Sequence, residues 1–274
     1  MRRILALSGC LAAGFASATF AGAFADDTPR DRASVSGQGL IDLSYPFNDE
    51  TIYWPTARKF KLTKVAEGET EGGYFYAAND FEAAEHGGTH LDAPVHFSRG
   101  GDTTDEIPLR RLVGKAIVVD VSKRALADPD YLISVGDLRG WERRYGRISR
   151  RTIVLLHTGF GRYWPDAERY LGTAERGEQA VPKLHFPGLS EEAAAWLVDK
   201  RSVKAVGIDT ASIDRGQSTE FLAHRTLGAA NVPVFENVAH SAQLPARGFS
   251  VVALPMKIEG GSGGPLRLMG MLRP

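Results

Sequence analysis

His86, His90, Asp92 and His96 fall within one eleven-residue stretch, which gathers three of the chain's seven histidines beside a carboxylate. Imidazole and carboxylate are ligand types that a divalent transition metal takes. His86 and His90 are four apart, a spacing that suits one helical face, but Gly87, Gly88 and the β-branched Thr89 between them disfavour a helix. The expected structure is therefore a loop that feeds a strand. His90 and Asp92 should share one face of that strand, with Pro94 and His96 continuing it at the two-residue repeat. The paired glycines would let His86 fold back to the same ion. A His, His, Asp set leaves coordination positions open, which separates a catalytic metal from a closed structural one, and Asp92 could bridge to a second ion. His96, one repeat further along, is expected outside the ligand set and free to move protons. A lone histidine is more often buried and hydrogen-bonded than ligating, and His157, His185 and His240 are read that way.

These groups need a scaffold, and 274 residues at 43% hydrophobic can bury a sizeable core in one α/β domain. Residues 115–121, 152–157, 203–209 and 232–236 are apolar β-branched runs, each expected as a strand buried on both faces of a helix-covered sheet. Ser190 with Glu191 and Glu192 opens a helix through Val198, and Ser218 opens a second that carries His224 and ends near Asn231. Residues 250–255 and 266–271 flank a glycine-rich turn as a hairpin would.

The formal net charge is zero and the charges are scattered, so a nucleic-acid partner is not expected. Arg2-Arg3, an apolar run from Ile4 to Phe24 and Ala23-Phe24-Ala25 have the layout of a signal peptide spanning 1–25. The single cysteine, Cys10, lies within it, so the mature chain has no thiol for a disulfide or a nucleophile. Leu7-Ser8-Gly9-Cys10 imitates an acylation box but stands too near the start for a normal apolar region. The polar residues 26–38 read as a flexible lead-in, and the folded domain as 39–274. Export to the periplasm or medium follows, with no membrane association after cleavage.

The pattern His86-x-Gly88-Thr89-His90-x-Asp92-x-Pro94-x-His96 resembles the metal-dependent cyclase family that includes kynurenine formamidase and isatin hydrolase. Ile41-Asp42-Leu43-Ser44, Trp54-Pro55, Gly207-Ile208-Asp209-Thr210-x-Ser212-Ile213-Asp214, His224 and Glu236 extend the resemblance over most of the mature chain. It implies an α/β domain of the swivelling β/β/α type, usually a homodimer or homotetramer. It also implies zinc or manganese, as one or two ions per chain. His86, His90 and Asp92 would hold the first metal, and Asp92 would bridge to a second on His224, with Glu236 touching both. His96 would be the proton donor and acceptor, and Trp54 would line the pocket of an aromatic substrate.

The residues speak to the remote pair independently. Glu236 sits among Val234, Phe235 and Val238, where a carboxylate needs a metal or an arginine beside it. His224 reads equally as a helix-surface histidine. Asp209 and Asp214 read as turn and cap residues. Gly260-Gly261-Ser262-Gly263-Gly264 matches a nucleophile elbow, but Pro265 and a β-like run follow where a helix should start. The expected function is a metal-dependent hydrolase of non-peptide C–N bonds that uses activated water with His96 as acid and base. Its substrate would be an aryl formamide such as N-formylkynurenine or a cyclic amide such as isatin. Two alternatives stay open: an exported metal- or solute-binding protein without turnover, and a lactone or ester hydrolase.

Overall fold

The structure is a computed structural model of the chain and describes residues 39–272. The signal peptide read at 1–25 and the lead-in at 26–38 lie outside the described residues. In chain order the strands are β1 (Leu40–Asp42), β2 (Lys61–Glu69), β3 (Phe75–Glu82), β4 (His90–Asp92), β5 (Val113–Asp120), β6 (Leu132–Ile133), β7 (Ile153–His157), β8 (Gly188–Leu189), β9 (Ala205–Ile208), β10 (Val234–Glu236), β11 (Phe249–Pro255) and β12 (Gly263–Leu272). The α-helices are α1 (Leu109–Leu112), α2 (Ser122–Ala125), α3 (Val135–Tyr145), α4 (Ala167–Leu171), α5 (Glu191–Trp196) and α6 (Leu222–Ala229). Among the described residues no helix is long and apolar enough to cross a membrane.

Eight strands form one mixed sheet in the order β1-β12-β11-β5-β7-β9-β10-β4. It closes like a barrel, because β4 pairs with β10 on one edge and with Gly263–Pro265 of β12 on the other. The pairs β5/β7, β7/β9 and β9/β10 are parallel, and the rest of this sheet is antiparallel. The apolar runs are buried on both faces, as expected. Ala116, Val118, Ile153, Leu155, Phe235 and Leu268 pack in one cluster. Their neighbours Ile117, Val119, Val154, Leu156, Val206 and Ile208 pack in another, against Leu138 and Trp141 of α3, Ala193 and Ala194 of α5, and Ala223 and Leu227 of α6. Alternation at a period of two thus feeds two cores from the same strands. Each fully buried Leu, Val or Ile contributes about 1.5–3 kcal/mol.

Ser190 caps α5 by accepting from Ala193 N at 3.2 Å, and a π-helical turn carries the chain on to Arg201. Two local expectations differ from the structure, and one element was not expected. The helix expected from Ser218 begins at Leu222, because Ser218 Oγ accepts from Phe221 N at 3.1 Å and Phe221 turns the chain at φ 51°. The strand expected to run from His90 through His96 stops at Asp92. Pro94 has no N–H for a ladder and opens a 3-10 turn, Pro94–His96. The β2–β3 hairpin was not foreseen at all. It is exposed on both faces, so it has no buried stripe to betray it.

Candidate metal centre

Strand register assembles the first donors. In the antiparallel β4/β10 pair Glu236 stands opposite His90, and Val234 opposite Asp92. Leu91 and Phe235 point into the cluster away from the helices, so His90, Asp92 and Glu236 project together from the other face. The first turn of α6 covers that face and delivers His224. Its Nε2 lies 2.9 Å from Asp92 Oδ2 and 3.1 Å from Glu236 Oε1. His86 arrives from the loop before β4, where Gly88 takes φ 57°, and its Nδ1 lies 2.6 Å from Asp92 Oδ1. His90 Nε2 is 3.1 Å from Asp92 Oδ1 and 3.5 Å from Glu236 Oε2. All of these donors are buried except His86, which is partly so.

The distal partners decide which nitrogens face inward. His90 Nδ1–H donates to Gly88 O at 3.0 Å, and His224 Nδ1–H donates to Asp214 Oδ2 at 2.7 Å. Ser262 Oγ gives its hydrogen to Glu85 Oε2 at 2.6 Å and so accepts from His86 Nε2–H at 2.9 Å. Each imidazole therefore turns its other ring nitrogen toward the Asp92 and Glu236 carboxylates. At 2.6–3.1 Å these groups repel unless a proton or a metal cation lies among them, and the two compete for the same positions. The buried His90 Nε2 has no hydrogen-bond partner, as a ligand nitrogen would not. The nitrogen and oxygen donors fit a divalent transition metal.

Ionisation carries the same message. Burial pushes the His90 imidazole down, but Asp92 and Glu236 outweigh it and raise it to about 9. Burial and the nearby Asp92 push Glu236 up. Asp92 is held well below the ordinary range, because His86, His90 and His224 overcome its burial. His96 behaves differently. Burial, aided by the surrounding imidazoles and opposed by Asp92, lowers it to about 4, so it is neutral at pH 7.

The seven residues singled out from the sequence, His86, His90, Asp92, His96, His224, Glu236 and Trp54, all line one cavity of about 260 Å³. His96 does not continue the strand. It sits in the 3-10 turn with its ring stacked on His86 at 3.8 Å, and a ring nitrogen comes within 4.8 Å of ligand atoms of His86 and Asp92. Trp54 stands edge-on to Phe221 at 6.4 Å. Glu236 has imidazoles rather than arginine beside it, and accepts from Ile213 N at 2.7 Å. His224 is a buried ligand candidate and not a surface residue.

Sequence reading missed several contributors. Asp214 does cap α6, accepting from Ala223 N and His224 N, yet it also orients the His224 ring. Ser262 lies in the connection of the expected C-terminal hairpin and reaches His86; a Cβ on the following Gly263 would fall 2.5 Å from His86 Cε1. That glycine was the available signal for close approach. Phe97 and Phe221, 5.1 Å apart, add aromatic walls. Asp209 is structural, as read: it accepts from Thr158 N and Gly159 N. His157 and His185 are hydrogen-bonded to Ser241 and Asp130.

The family model for cyclases matches residues 41–215. The chain belongs to the cyclase family. Among its relatives in that family, isatin hydrolase of Roseibium aggregatum is 32% identical over 222 residues, covering 78% of this chain and 81% of the relative. Kynurenine formamidase of Salinibacter ruber is 30% identical over 231 residues, covering 83% and 95%. Isatin hydrolase A from Ralstonia solanacearum superposes with a TM-score of 0.77 at 31% identity, covering 85% of this chain and 92% of that one. An isatin hydrolase bound to the product analogue thioisatinate also gives 0.77, at 28% identity over 87% and 94%.

Proposed function

We propose that this cyclase-family protein is a metal-dependent hydrolase that opens the C–N bond of an aromatic amide. The observation that carries the reading is the convergence of three imidazole nitrogens and two carboxylates on the floor of an aromatic-walled cavity, with a neutral histidine beside them. His86, His90, Asp92, His224 and Glu236 hold the metal, zinc or manganese. Asp92 presents one oxygen to His86 and His90 and the other to His224, which supports one ion or a bridged pair. When bound, the ion supplies Lewis acidity toward a carbonyl oxygen and toward water.

Trp54, Phe97 and Phe221 hold the substrate ring and exclude bulk water. His96 takes a proton from the attacking water as the oxygen–carbon bond forms, and returns it to the departing nitrogen as the carbon–nitrogen bond breaks. At about 260 Å³ the cavity lies just under the usual range of about 300–1,000 Å³ for small-molecule sites. That favours a compact cyclic amide such as isatin over the longer N-formylkynurenine. Metal analysis of purified protein, joined to hydrolysis assays on cyclic amides, aryl formamides, lactones and esters, tests the reading. Metal-loaded, folded protein that turns over none of them would be a binding protein instead.

Export to the periplasm or medium is supported by the charged, apolar and Ala-Phe-Ala segments of residues 1–25, and N-terminal sequencing of the mature protein tests it. A homodimer is supported by the β2–β3 hairpin. Leu62, Val65, Tyr74, Phe75, Tyr76 and Phe81 are each more than half exposed there, and a two-stranded hairpin is marginal without a partner.

A further inference from the structure

At the end of the barrel where β5, β7, β9 and β10 begin, four entry segments converge on a cavity of about 480 Å³. α1 brings Arg110 and Arg111, the turn before β7 brings Arg150 and Arg151, and the segment before β9 brings Lys204. No carboxylate lines the cavity. Among the described residues none of the five cations pairs with a carboxylate within 4.0 Å. The nearby Arg201 shows the ordinary arrangement: it pairs with Glu142 at 2.6 Å and stacks on Trp196.

Part of this cluster is held in place by the fold. Lys204 Nζ donates to Val113 O at 2.7 Å, and a Cβ at residue 114 would lie 2.5 Å from that nitrogen, so Gly114 makes room for it. Arg111 Nη1 reaches Lys204 O at 3.5 Å. Burial lowers both Lys204 and Arg111 below their usual values; Arg151 adds to this at Lys204, and Arg110 at Arg111, where Asp102 opposes it. Like charges around a concavity repel each other, and an anion in their midst removes that cost. Guanidinium pairs match the forked oxygens of a phosphoryl group, and Lys204 adds a point charge from the wall.

We propose that this cavity binds a compact multivalent phosphoryl anion, either a free phosphate-bearing metabolite or the headgroup of an anionic lipid. The site is separate from the metal centre. Val232 on its wall precedes β10, and Glu236 ends that strand at the metal centre.

The test titrates metal-loaded full-length protein with inorganic phosphate by calorimetry at low ionic strength, beside the variant Arg110→Glu/Arg150→Glu. Both side chains are exposed, so metal content and Tm should match the parent. The expected result is one saturable phase that weakens with added salt and loses about tenfold or more in affinity in the variant. Phosphate binding that survives the variant unchanged, or no saturable binding to phosphate or vesicles, overturns the proposal. If charge reversal disturbs folding, Arg110→Gln/Arg150→Gln makes the same comparison. Co-sedimentation with phosphatidic acid vesicles, against phosphatidylcholine alone, separates the sources. Variant-sensitive capture assigns a lipid headgroup, and phosphate binding without capture assigns a soluble ligand.

Discussion

Both oxygens of Asp92 face imidazole nitrogens, Oδ1 toward His86 and His90 and Oδ2 toward His224. Asp92→Asn should therefore empty the centre of metal, read directly by elemental analysis. His96 has a different expected signature. Its His96→Asn variant should keep most of the metal while the hydrolysis rate falls about 10²–10⁴-fold, the range for losing a general acid–base. Metal loss equal to that of Asp92→Asn would make His96 a ligand instead. These two residues were legible in the sequence because donor type and close spacing are local properties. The stacking of His96 on His86 was not, since it depends on how Pro94 turns the chain.

Among the elements, the segment before α6 and the β11–β12 connection orient ligands carried elsewhere. Asp214 binds the first turn of α6 through Ala223 N and His224 N and fixes the His224 tautomer through Nδ1. Asp214→Ala should cost about 1 kcal/mol of stability, as for a lost helix cap. It should also weaken metal binding about 10–100-fold, as for a lost ligand orienter. Denaturant titration of the metal-free protein and competition with a chelator measure the two effects separately. Gly263→Ala presses on His86 Cε1 and on the Leu91 carbonyl of β4, and should lower metal affinity by shifting both His86 and the β4/β12 pairing that carries Asp92, read as reduced metal content with a lowered Tm. The strands were readable because apolar β-branched runs have few other uses. The start of α6 was misread, because Ser218 has the residue type of a cap but spends its hydroxyl on a turn.

For the whole molecule, the centre couples folding to pH. His90 is raised to about 9 from 6.5, so across that window the metal-free folded state keeps a proton that the unfolded chain has released. Its contribution to stability is full below pH 6.5 and is lost as pH rises through about 9. Metal competes with that proton, so its affinity strengthens over the same range. Tm measured against pH should thus fall for chelator-treated protein and rise relative to it for metal-loaded protein; parallel curves would remove the linkage. Assembly makes a second prediction at this scale. Phe75→Ser with Phe81→Ser should convert a dimer to monomer in sedimentation velocity, and an unchanged sedimentation coefficient would reject the hairpin as the contact.

By itself the sequence determined the donor types, their spacing in the 86–96 stretch and the strands buried on both faces. Those properties follow from side-chain chemistry and short-range periodicity, which need no partner elsewhere in the chain. Tertiary structure decided the rest. Closure of the sheet through β4 and β12 sets Ser262 against His86, and the β4/β10 register places Glu236 across from His90. Packing of α6 on the outer face brings His224 to Asp92 across more than a hundred residues. Register and packing are set by every residue that fills the two cores, so no local stretch could have specified them.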